Sequence, residues 1–72
     1  MTIRVQSGAN SQEINPTETD VVRIAEIRDR LGIVLNLEET AIAVVDDAEV
    51  NDDFVVKDGQ TVQFIKRSGS KG

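Results

Sequence analysis

The chain contains no cysteine and no histidine. The first absence removes disulfides and thiol nucleophiles, and the second removes the histidine base. Together they exclude a Cys/His zinc site. Tryptophan and tyrosine are also missing, and Phe54 and Phe64 are the only aromatics. The core must therefore be built from Val, Ile, Leu and Ala. No apolar run approaches the ~18–20 residues of a membrane span, and no apolar signal-peptide core follows Met1. The location this predicts is the cytoplasm, a reducing compartment with which the lack of cysteine agrees.

What is present is small and acidic. Seventy-two residues make one domain at most. Such a chain buries only about 60% of the surface its unfolded form exposes, so its stability margin is thin. Walls enough for a catalytic pocket of ~300 Å³ are uncommon at this size. The expectation is a protein without enzymatic activity, with no catalytic residues and no intrinsic cofactor. A net charge of −5 disfavours nucleic-acid binding, which needs cations against phosphate, and favours basic protein partners.

Alternation along Thr2–Gln6 predicts a first strand with Ile3 and Val5 inward. Ser7–Ser11 reads as a turn and Gln12–Asn15 as a second strand forming a hairpin with the first. Pro16, the only proline, ends it. Thr17-Glu18-Thr19-Asp20 carries helix-start chemistry: a threonine to cap free amides and acids for the positive dipole end. A helix is expected over Asp20–Leu31, with Val21, Ile24, Ile27 and Leu31 on its buried face and Arg28 at the edge of that face. Gly32 is the expected left-handed stop.

Ile33–Leu37 is apolar and ambiguous. Ala41–Val45 is the clearest later strand, with Ile42 and Val44 expected in the core. Asp46-Asp47 makes a turn and Ala48–Val50 a short edge strand. Phe54–Val56 is expected to pack beneath the sheet rather than extend it. A turn at Lys57–Gln60 leads into the final strand Thr61–Ile65, with Val62 and Phe64 inward. Asp46, Asp47, Asp52 and Asp53 lack the regular ligand spacing of a calcium loop, so no metal site is expected. The order of strand, strand, helix, strand, short strand, strand predicts an α+β fold. It is a mixed sheet of four to five strands with one helix packed across it.

The final strand runs into Lys66-Arg67-Ser68-Gly69-Ser70-Lys71-Gly72. Asp58–Ile65 followed by a glycine-ending tail resembles the end of the ubiquitin-like β-grasp proteins, which include the ThiS/MoaD sulfur carriers. Phe64–Gly72 more specifically resembles the C-termini of small bacterial ubiquitin-like proteins of the PRTRC type. One departure is plain: the Gly-Gly ending of ubiquitin, ThiS and MoaD is here Lys71-Gly72.

The resemblance implies a ubiquitin-like β-grasp domain over residues 1–67 and a flexible tail over 68–72. It implies a carrier or protein modifier whose Gly72 carboxylate is activated by an E1/ThiF-like enzyme, with Arg67, Ser68, Gly69, Ser70 and Lys71 recognised by that partner. ATP and magnesium would be bound by the partner enzyme. An E2-like protein and a JAB-type peptidase are further implied partners, and the protein itself is expected to be a monomer. Two other readings stand beside this one. One is a noncovalent β-grasp interaction module. The other, disfavoured by charge, is a nucleic-acid-associated β-grasp domain.

Overall fold

A computed structural model describes residues 1–17, 19–35, 37 and 40–66. Strand β1 (Ile3–Ser7) turns back into β2 (Asn10–Ile14). The two-residue link places Gly8 at a φ of +59°. A positive angle at the first central position of a hairpin turn favours glycine. The chain continues through β3 (Val22–Arg23), helix α1 (Ile24–Leu31), β4 (Ile42–Val45), β5 (Ala48–Val50), β6 (Val55–Val56) and β7 (Thr61–Ile65). The main sheet has five strands in the order β2-β1-β7-β4-β5, and β3 pairs with β6 in a separate antiparallel ladder.

β1 and β7 lie parallel at the sheet centre, with Val5 opposite Val62. The other main-sheet pairings are antiparallel. This is a β-grasp-like α+β fold with α1, the one helix among the described residues, on the sheet. Ile3, Val5, Val62 and Phe64 reach in from the sheet and meet Ile24, Ile27 and Leu31 of α1, all buried. Among the described residues the core holds no buried polar or charged side chain.

Four local expectations are corrected. The helix begins at Ile24, not Asp20. Thr17 and Asp20 instead bond to each other: the Asp20 amide donates to the Thr17 carbonyl and the Thr17 amide to Asp20 Oδ2, both at 3.0 Å. Val22 and Arg23 are extended because they pair with Val56 and Val55. Val21 is therefore off the helix and 51% exposed.

Gly32 is not a left-handed stop: its φ of −56° is right-handed. The turn runs on, the Leu35 amide donating to the Leu31 carbonyl at 2.9 Å, and this buries Leu35. Glycine is required there by close approach, since a Cβ would sit 2.5 Å from the Arg28 carbonyl oxygen.

The faces of β4 are also reversed. Ala41, Ala43 and Val45 are buried, while Ile42 and Val44 are half-buried on the opposite side. The register explains this, because Ala43 lies opposite Phe64 and a small residue there leaves room for the ring. By contrast, Phe54–Val56 does stay out of the main sheet, with Val56 buried.

Phe64→Ala should cost ~3–5 kcal/mol, since it empties ring volume from the core, and Ala43→Leu should cost ~1–3 kcal/mol by overpacking the space opposite that ring. Urea denaturation midpoints check both. An unchanged midpoint for either variant would overturn the β4–β7 register.

Candidate functional site

Gly72 and the recognition residues Arg67, Ser68, Gly69, Ser70 and Lys71 lie outside the described residues, as does the expected 68–72 tail. What can be built is the platform from which they leave. β7 is flanked by β1 on one side and β4 on the other, so the chain exits from the middle of the sheet at Ile65 and Lys66.

Strand alternation divides the sheet into a helix side and an open side. Val62 and Phe64 face the helix side; Thr61, Gln63 and Ile65 face the open side. Ile65 stands directly opposite Ile42 in the antiparallel β4–β7 pair, and Val44 follows on the same face opposite Gln63. Residues so paired bring their Cβ atoms to about 4.5–5.5 Å. Ile42, Val44 and Ile65 thus form one apolar patch at the end of the sheet from which Lys66 departs. Ile65 is 48% exposed.

Beyond the patch the open face turns polar. Gln63 Nε2 donates to Gln6 Oε1 at 3.4 Å, and Arg4 pairs with Glu13 at 3.2 Å. Arg4–Glu13 is a half-exposed pair and contributes little.

The patch is held from behind by Arg28. Its Nη2 donates to the Ala41 carbonyl at 2.6 Å and its Nε to Asp52 Oδ1 at 2.8 Å. The guanidinium carbon lies 5.2 Å from the centroid of the Phe64 ring, within cation–π range. One side chain thereby joins the helix, the residue before Ile42, the 51–53 turn and the final strand.

The same turn caps the helix. The amides of Ile24 and Ala25 donate to the carbonyls of Phe54 and Asp52 at 3.1 Å, satisfying two of the free donors of the first turn. Arg28 was legible in the sequence as an edge residue, but its partners were not. They lie 13, 24 and 36 positions away.

The acidic residues have structural work. Asp46 and Asp47, with φ of +53° and +65°, form the β4–β5 turn. Asp46 Oδ2 also accepts from Gln60 Nε2 at 3.0 Å. Among the described residues no three His, Cys, Asp or Glu side chains are grouped as a metal-ligand set, and no helix is long and apolar enough to cross a membrane.

No protein-family profile matches the chain, and no curated protein matches it significantly. The likeness to the ubiquitin-like proteins rests on the β-grasp-like arrangement and on the C-terminal residues.

Arg28→Ala should lower stability by ~2 kcal/mol, because it removes a charge-assisted hydrogen bond to a carbonyl and the packing of a half-buried stem. The amide resonances of Ile42, Asp52 and Phe64 should shift together in an NMR comparison. Shifts confined to α1 would mean that Arg28 does not couple these elements.

Proposed function

We propose that this protein is a ubiquitin-like carrier or modifier, and that its Gly72 carboxylate is the group a partner enzyme activates. The observation that carries this reading is the apolar Ile42–Val44–Ile65 patch on the open sheet face, at the end where the final strand delivers the chain. An exposed apolar cluster with a polar surround is the usual form of a protein-docking surface. An activating enzyme seated on it would meet the strand that leads to the carboxylate. Glycine at the end suits a narrow cleft, because a backbone without Cβ can approach closely.

The chemistry belongs to the partner. A carboxylate is a poor acyl donor. One of its oxygens attacks the α-phosphorus of ATP, the bond to the β-phosphate oxygen breaks, and pyrophosphate leaves. The acyl-adenylate then passes its acyl group to a thiol, sulfide or amine, and AMP departs. An E1/ThiF-like enzyme would bind the ATP and magnesium, and the implied E2-like protein and JAB-type peptidase would act later. Lys71 before Gly72 separates this ending from the double-glycine carriers.

A noncovalent interaction module is the second reading, since the same patch supports binding without any use of the carboxylate. The nucleic-acid reading has less support: the chain carries a net charge of −5.

ATP–pyrophosphate exchange with the cognate activating enzyme separates the first two. Deleting Gly72, or extending the chain beyond it, should abolish exchange and leave the thermal melt unchanged. Lys71→Gly should retain exchange. Ile65→Glu places a charge in the docking patch and should cut exchange by about thirtyfold, the scale of a hot-spot loss of ~2 kcal/mol. Exchange that survives deletion of Gly72 would defeat the carrier reading and leave the interaction module.

A further inference from the structure

We draw no further inference here: the strongest candidate, the acidic groove at the β4–β5 edge of the sheet where Glu49 and Asp53 stand beside Val50, is a cluster of carboxylates whose Asp52 is already paired with Arg28, and nothing among the described residues points to a ligand for it.

Discussion

The parallel pairing of β1 with β7 is the constraint on which the rest of the molecule depends. The two strands are separated by most of the chain, yet Val5 lies opposite Val62. Parallel neighbours cannot be joined by a tight turn, so the intervening chain must cross over. It does so by way of α1, whose Ile24, Ile27 and Leu31 cover the helix side of the central strands. The pairing is reinforced where the strands begin. The Gly59 amide donates to the Thr2 carbonyl and the Thr2 amide to Asp58 Oδ1, both at 2.8 Å. The turn that launches β7 is thereby bonded to the start of β1.

This arrangement gives the sheet two surfaces of different character. The helix side is filled by aliphatic residues and one phenylalanine. The open side carries hydrogen-bonded and ion-paired groups at one end and the isoleucine–valine patch at the other. Arg28 connects the two. It works from the helix side, but it fixes the Ala41 carbonyl and so the residue that precedes Ile42. A substitution there would disturb the patch without touching it.

The β1 and β7 strands and the buried helix residues Ile24, Ile27 and Leu31 were legible because each has a periodic signal, whereas β4 was legible as a strand only from its short β-branched run. Ile3-Arg4-Val5 and Val62-Gln63-Phe64 alternate apolar and polar residues, and only one orientation buries the apolar set. Ala41–Val45 carries no such signal. It is apolar on both sides, so alternation is silent, and bulk alone pointed to Ile42 and Val44. The helix start was misread for a related reason. Thr17 and Asp20 are as suitable for a closed turn as for a cap, and Val22 extends because of a pairing with Val56.

The sequence by itself determined that this chain needs an aliphatic core without cysteine or histidine chemistry, that it has room for one helix, and that a strand with buried Val62 and Phe64 precedes its glycine-bearing end. Those properties are local: they follow from composition, from side-chain period and from the residues at each turn. Tertiary structure alone decided which face of β4 is buried, what Arg28 binds, and that Val22 is drawn into an extended pairing with Val56. These depend on register and on contacts between residues distant in the chain. A one-residue shift in strand register exchanges the two faces of a strand, and nothing within Ala41-Ile42-Ala43-Val44-Val45 distinguishes them until Phe64 takes its place opposite Ala43.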